Sequence, residues 1–146
     1  MELGQEVGDF VLRRADRLFA YQLAVVVDDA AQGITDIVRG ADLLDSTPRQ
    51  RFLQQALGLS LPRYLHLPVA VNNTREKLGK QTRAPAVKPA ADNRTLIAAL
   101  NFLHQILPDD AAQASQAELL QWAIEHWDVS ALPRQRLQPA PENPSI

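Results

Sequence analysis

The sequence contains no cysteine and only three histidines, His66, His104 and His126. A chain without cysteine forms no disulfide, and three dispersed histidines do not have the spacing of a zinc site. We therefore predict no metal site within this chain.

An excess of positive charge is also missing. The chain has 15 Lys and Arg residues against 17 Asp and Glu residues, so its net charge is -2. Any contact with nucleic acid must then come from a local basic patch, because no overall positive field supplies it.

Long apolar runs are lacking as well. The stretch LFAYQLAVVV is ten residues long, which is too short for a helix that crosses a bilayer. No signal-peptide pattern opens the chain. We expect a soluble, cytoplasmic protein with no membrane partner.

The residues that are present suit one globular domain, or one domain with a small appendage, since 146 residues with 46% hydrophobic content can form a sizeable core. DFVLRR, residues 9–14, alternates like a strand. AYQLAVVVDDAAQG, residues 20–33, has no diagnostic period, so we expect a strand at the start of this region and leave the remainder open between strand and helix. ITDIV, residues 34–38, predicts a strand bounded by Gly33 and Gly40.

A helix is predicted after this strand. Ser46 or Thr47 can cap it, Pro48 suits its first turn, and Gly58 suits its end. The residues expected on its apolar face are Phe52, Leu53, Ala56 and Leu57. PRYLHLPVAVN, residues 62–72, then predicts another extended segment, and the strand, helix, strand order indicates an α/β fold.

Two amphipathic helices are predicted in the second half of the chain. Asp92 or Asn93 can cap RTLIAALNFLHQIL, and Ser115 with Glu118 forms a capping box for SQAELLQWAIEHW. We expect the pair to form a helical hairpin. The remaining residues, 134–146, contain three prolines and little apolar content, and we expect them to fray.

Four segments together carry a family resemblance: GDFVLRRAD, FAYQLAVVVDDAAQGITDIVRGADLLDSTPRQ, PRYLHLPVAVN and KLGKQ. They resemble the second half of a glutamate-specific class I aminoacyl-tRNA synthetase core, and most of all the glutamyl-Q tRNA(Asp) synthetase family. The resemblance extends over residues 8–133, and the long second segment, residues 19–50, is its most specific part.

The resemblance implies a domain organisation. Residues 1–87 would form the C-terminal half of a Rossmann-type catalytic domain with a KMSKS-like loop. Residues 88–133 would form a small helical region that contacts the tRNA stem, and residues 134–146 a flexible tail.

The function that the resemblance implies is ATP-dependent activation of glutamate and its transfer to queuosine in the anticodon of tRNA(Asp), a tRNA modification. ATP, with magnesium as its usual companion, glutamate and tRNA(Asp) would be the partners. The family's HIGH-type motif and its zinc-binding cysteines are absent from this sequence. We therefore expect a C-terminal portion that is inactive alone and self-associates through exposed core edges, with zinc only in the missing N-terminal part.

Two residues match the family's glutamate-recognising positions, Tyr21 and Arg39. A guanidinium offers a planar pair of donors to a carboxylate, and a phenol adds one directed hydrogen bond. The residues alone favour another interpretation for both: Tyr21 would be a half-buried strand aromatic whose hydroxyl reaches solvent, and Arg39 a surface cation beside a turn glycine.

KLGKQ matches the family's KMSKS-type signature. The resemblance implies that Lys80 meets the ATP phosphates with Lys77 in support, and that His66 runs alongside the adenosine. Alone, K-x-x-K is typical of a solvated basic loop, and a strand histidine is typically packed locally. Gly79 stands where the family has serine, which removes a hydroxyl and frees the backbone.

Two alternative interpretations stay open. One is a non-catalytic module that binds tRNA or a partner protein. The other is a fragment of ordinary glutamyl-tRNA synthetase, which is disfavoured because only 65 residues follow the KLGKQ signature, too few for an anticodon-binding domain.

Overall fold

The computed structural model describes residues 8–84 and 93–141 of the chain. The chain divides into two compact units, Met1–His66 and Leu67–Ile146. Helices alternate with short strands, which confirms the predicted α/β class. The helices are α1 (Tyr21–Ala31), α2 (Thr47–Ala56), α3 (Arg94–Phe102) and α4 (Gln116–Glu125), with 3-10 helices at Ala41–Ser46 and Val129–Ala131. The strands are β1 (Asp36–Gly40), β2 (Arg63–Leu67), β3 (Val69–Val71) and β4 (Leu137–Pro139).

Strands β1 and β2 pair in the first unit. At their starts, Arg63 makes a two-pronged contact with Asp36, with nitrogen to oxygen distances of 2.6 and 2.9 Å. Near their ends, the side chains of Arg39 and His66 meet. The two strands therefore run in the same direction, with α2 between them in the chain, which is the expected strand, helix, strand order.

We expected a strand at the start of residues 9–29 and left the remainder open between strand and helix; the described residues 8–20 contain no strand, so the expected strand was wrong, and the open part is helical. Residues 21–31 form helix α1, whose buried residue is Val26, and an isolated bridge joins Arg13 to Phe19 before it. Helix α1 packs against α2, so tertiary contact outweighs the β-propensity of the VVV run. Gly33, at a φ of 70°, ends the helix, with its amide bonded to Ala30.

Helix α2 begins and ends where the sequence predicted, with Pro48 in its first turn and Gly58 just beyond its end. The predicted cap was wrong: Ser46 stands at the N-cap without a capping hydrogen bond, and the Thr47 hydroxyl accepts from Arg39 instead. The predicted apolar face was largely wrong, because Phe52 is 48% and Leu57 50% exposed. The residues buried on this helix are Gln50, Leu53 and Gln54. The buried face of α2 therefore consists of two glutamines and one leucine.

The extended segment at residues 62–72 is divided by Pro68 into β2 and β3, because proline lacks the amide that a continuous ladder needs. Strand β3 pairs in parallel with β4, with Val69 opposite Leu137 and Val71 opposite Pro139. We expected this part of the C-terminal segment to fray. Instead, residues 137–139 pair with β3, whose Val69 and Val71 side chains are buried.

Helices α3 and α4 contribute to an apolar cluster of Leu100, Ala111 and Leu119, against which four further side chains pack: Leu96, Ile97, Leu107 and Ala123. The capping box of Ser115 and Glu118 is present as predicted. Asn93 does not cap α3; its buried amide donates to the carbonyls of Ala111 and Ala114. Asp92 and the expected boundary at 87/88 lie outside the described residues.

Within residues 8–84 and 93–141, no helix is both long and apolar enough to cross a membrane.

Candidate functional site

The Arg39 guanidinium at the end of β1 is held by four hydrogen bonds. Nε donates to His66 Nε2 at 3.3 Å, and one Nη donates to Gln50 Oε1 at 2.7 Å. The other Nη donates to Thr47 Oγ1 at 2.9 Å and to the Leu43 carbonyl at 3.3 Å. These contacts come from β2, α2 and the 3-10 helix, so the strand, helix, strand unit fixes the plane of the guanidinium.

All four of these acceptors are neutral groups. A partly buried charge is costly unless an opposite charge or hydrogen bonds compensate it. Here the hydrogen bonds orient the Arg39 cation while its positive charge is left for another partner. A guanidinium has five N–H donors, and the four contacts leave one of them on the nitrogen that meets Gln50. A carboxylate can accept a hydrogen bond from that free N–H directly. To accept two hydrogen bonds from the guanidinium, the carboxylate must displace one of the four protein acceptors.

His66 accepts in this network. Because the Arg39 Nε can only donate, His66 Nε2 must carry a lone pair, which places the proton of the neutral ring on Nδ1. Thr47 Oγ1 lies 3.0 Å from the same nitrogen. Burial, with the Arg39 charge as a second cause, lowers the pKa of His66 below its ordinary value. The imidazole is therefore suited to remain neutral beside the cation.

An aromatic ring supports the same guanidinium. The Arg39 Cζ lies 5.1 Å from the centroid of the Tyr64 ring, within the range of a cation-π contact. Tyr64 stacks parallel to His66 with their centroids 6.2 Å apart, and its hydroxyl accepts from Gln54 at 3.0 Å. Strand β2 thus presents two flat side chains to Arg39 from one face.

Tyr21, the other predicted glutamate-recognising residue, is the first residue of α1 and is 53% exposed. Its neighbour Gln22 is connected to Arg39 through Gln50. Gln22 accepts from Gln50 Nε2 at 2.8 Å, and Gln50 in turn accepts from Arg39. A chain of two side-chain hydrogen bonds therefore connects Arg39 to the helix turn that carries Tyr21.

The predicted phosphate loop lies in the second unit. Lys77 forms an isolated bridge with Val71, and the Leu78 amide donates to the Ala70 carbonyl at 3.0 Å, so the loop starts from a short hairpin. The side chains of Lys77 and Lys80 are both exposed. An exposed ammonium is accessible to a ligand anion, and its role in phosphate binding stays a prediction.

Thr82 closes the loop around Gly79. Its hydroxyl oxygen accepts from the Gly79 amide at 3.0 Å and lies 3.1 Å from the carbonyls of both Lys77 and Gly79. A side chain at position 79 would meet no atom within 4 Å apart from its chain neighbours, and the φ of Gly79 is not in the left-handed region. The backbone at this position therefore does not require glycine.

Among the described residues, no group of three or more His, Cys, Asp or Glu side chains could hold a metal ion.

Sequence reasoning missed Gln50, Thr47 and Gln22 as members of the Arg39 network. Hydrophobic patterning put the buried face of α2 around its apolar residues. The signal that was available is a pair of glutamines four residues apart, which share one helix face. Patterning alone does not distinguish such a pair from a solvated face.

The comparison with known families now defines the class. The family model of class I tRNA synthetases (E and Q), catalytic domain, matches residues 2–105. The chain belongs to this family, which confirms the resemblance inferred from its segments.

Among curated relatives, the chain is 58% identical over 132 residues to the glutamyl-Q tRNA(Asp) synthetase of Pseudomonas aeruginosa, covering 90% of this chain and 45% of that protein. It is 55% identical over 134 residues to the protein of the same name from Ectopseudomonas mendocina, covering 92% of this chain and 46% of that one. The chain therefore spans about half the length of the curated relatives that it matches.

Solved structures share the fold. A glutamate-tRNA synthetase from Elizabethkingia anophelis superposes with a TM-score of 0.61 at 22% identity, covering 87% of this chain and 29% of that one. A glutamate tRNA ligase from Elizabethkingia meningosepticum, solved with its amino acid, gives the same TM-score at 21% identity, covering 88% of this chain and 29% of that one.

Proposed function

We propose that this chain carries part of the catalytic domain of a glutamyl-Q tRNA(Asp) synthetase, which activates glutamate with ATP and transfers it to queuosine in tRNA(Asp). The single observation that carries the proposal is the Arg39 guanidinium, oriented by four neutral acceptors and left with its charge uncompensated by them. In a chain of this family, a carboxylate substrate is the partner that such a cation suits. The names of the 58% and 55% identical relatives support the same activity.

In this proposal, Arg39 binds a glutamate carboxylate and Tyr21 adds a hydrogen bond from its exposed hydroxyl. Glutamate bound in this way keeps its reacting carboxylate oriented for attack on the α-phosphorus of ATP. A new bond forms between carboxylate oxygen and phosphorus while the bond to pyrophosphate breaks. Orientation of this kind lowers the barrier without any new covalent chemistry from the protein.

Lys80, with Lys77 in support, places an ammonium near the phosphates and stabilises the negative charge that develops as pyrophosphate leaves. Magnesium would arrive with the ATP phosphates. His66 remains our candidate for a contact alongside the adenosine. Its position against Arg39 also gives it a part in holding the glutamate-binding cation. The glutamyl adenylate then passes its acyl group to a queuosine hydroxyl of tRNA(Asp), and AMP leaves.

The test uses a chimera in which this chain replaces the matching segment of the P. aeruginosa relative. We expect ATP-pyrophosphate exchange that depends on glutamate, and glutamylation of tRNA(Asp) that depends on queuosine. Arg39→Met should raise the KM for glutamate, and Lys80→Met should lower kcat by about a hundredfold or more. Arg51→Met, an exposed arginine of α2, is the matched control and should change neither.

Exchange that proceeds equally with aspartate, or that survives Arg39→Met unchanged, would contradict the proposal. Glutamylation of tRNA(Asp) without queuosine would refute the transfer step alone.

A further inference from the structure

Gln50 is the most completely buried polar side chain beside the Arg39 site, at 1% exposure. A buried amide is costly unless its oxygen and nitrogen both find partners. Gln50 satisfies both ends: Oε1 accepts from Arg39 at 2.7 Å, and Nε2 donates to Gln22 Oε1 at 2.8 Å. Gln22 Nε2 then donates to Ser46 Oγ at 3.0 Å.

The direction of this chain of hydrogen bonds is fixed by its first member. Arginine can only donate, so the oxygen of Gln50 must face it and the nitrogen must face Gln22. Gln22 must accept with its oxygen and therefore donates to Ser46. The order Arg39, Gln50, Gln22, Ser46 allows no reversed alternative, and each amide has one orientation.

We propose that Gln50 is a positioning residue for glutamate recognition: its neutral amide fixes the Arg39 guanidinium relative to the α1 turn that carries Tyr21, without neutralising the cation. This rests on the proposed role of Arg39 in binding a carboxylate. A guanidinium held in one orientation before the substrate arrives loses less conformational freedom on binding. Gln50 itself touches no substrate and acts through Arg39.

The chemistry of the side chain at position 50 matters as much as its shape. A carboxylate there would accept from Arg39 more strongly, because hydrogen bonds between charged groups are the stronger ones. It would also supply the negative charge that Arg39 otherwise keeps for its ligand, and it could not donate to Gln22. The amide orients the cation and leaves the charge available.

Gln54 provides a matched control on the same helix. It lies one turn after Gln50, is 2% exposed, and donates to the Tyr64 hydroxyl, whereas Gln50 accepts from Arg39. Gln50→Met and Gln54→Met each remove one buried amide with little change of volume. Because the Gln54 oxygen is buried without a hydrogen-bond partner, Gln54→Met should cost less stability than Gln50→Met, and the readouts that separate positioning from a structural role are the Arg39 resonances and the KM for glutamate.

Nuclear magnetic resonance of the 146-residue chain tests the positioning directly. The unsubstituted chain and Gln54→Met should show separate, slowly exchanging signals for the Arg39 Nη protons. In Gln50→Met the two proton signals of the Nη that met Gln50 should merge, because that nitrogen loses its acceptor, while those of the Nη that donates to Thr47 and Leu43 should stay separate. Identical Arg39 signals in the two variants would overturn the proposal.

Steady-state kinetics of the chimera give the second readout. Gln50→Glu should raise the KM for glutamate by about tenfold or more, leave the KM for ATP unchanged, and not lower the melting temperature. Gln50→Met should raise the KM for glutamate well beyond Gln54→Met. A KM for glutamate that Gln50→Glu leaves unchanged would overturn the proposal. An unsubstituted chimera without glutamate-dependent exchange would instead refute the proposed function, while the resonance measurement still decides the role of Gln50.

Discussion

Replacing Arg39 with methionine should destabilise the folded chain even in the absence of any substrate. The substitution keeps an unbranched, similarly long side chain but removes every donor. Four acceptors lose their partner at once: His66 Nε2, Gln50 Oε1, Thr47 Oγ1 and the Leu43 carbonyl. Their ability to find water then determines the cost.

The four acceptors differ in that ability. Gln50 is 1% exposed, so its oxygen cannot recruit water without local opening, and an orphaned buried acceptor costs about 1–3 kcal/mol. The lost contact with the Tyr64 ring adds about 0.5–2 kcal/mol. Relief from burying a charge offsets part of this loss. We therefore expect a net decrease of about 1–3 kcal/mol in the free energy of unfolding, a large share of the 5–15 kcal/mol typical of a domain.

Urea denaturation of the 146-residue chain, followed by far-ultraviolet circular dichroism, measures this decrease. Arg51→Met on the exposed face of α2 controls for the loss of a cation and should leave the midpoint unchanged. Equal midpoints for Arg39→Met and the unsubstituted chain would mean that the four hydrogen bonds contribute nothing. The orientation of Arg39 would then need another cause.

Three further predictions concern other parts of the chain. The pKa of His66, followed by its ring proton resonance, should lie below that of a histidine in an unfolded peptide, because burial and Arg39 disfavour its charged form. The unfolded state then binds more protons, so this group should make the free energy of unfolding rise with pH between the lowered pKa and the ordinary one; a raised pKa would contradict the network. Ser115→Ala should cost about 1 kcal/mol by removing the cap of α4, and thermal unfolding should show no such loss for Ser60→Ala in an exposed loop. Gly79→Ser should leave the melting temperature unchanged because the site has room for a side chain, and in the chimera it should raise the exchange rate; an unchanged rate would make the glycine neutral.

Local signals in the sequence predicted the helix boundaries best. Pro48 and Gly58 mark the ends of α2, and the Ser115 capping box starts α4, because each acts within a few residues of chain. The VVV run of α1 could not be assigned in this way. Its helical state depends on packing against α2, a contact between residues that are distant in sequence.

In the predicted site, too, local sequence signals succeeded and contacts between distant residues were missed. Arg39 was identified from the residues around it in the chain, and its direct partners were not. Gln50 and His66 reach it from α2 and β2, which come together only when the strands pair. β4 was missed for the same reason, since its pairing with β3 joins residues 69–71 to residues 137–139.

The neutral partners of Arg39 are not the ones expected if the only role of the network were to stabilise the fold. A protein that only had to hold this arginine could do so with a carboxylate at position 50, where both partners of the hydrogen bond would be charged. The amide of Gln50 orients the guanidinium through a hydrogen bond but does not neutralise its positive charge. Such departures from the most stable arrangement are expected at a binding site, where the ligand supplies the opposite charge. Glutamate should therefore stabilise the chimera against unfolding, and Gln50→Glu should remove most of that ligand-dependent gain.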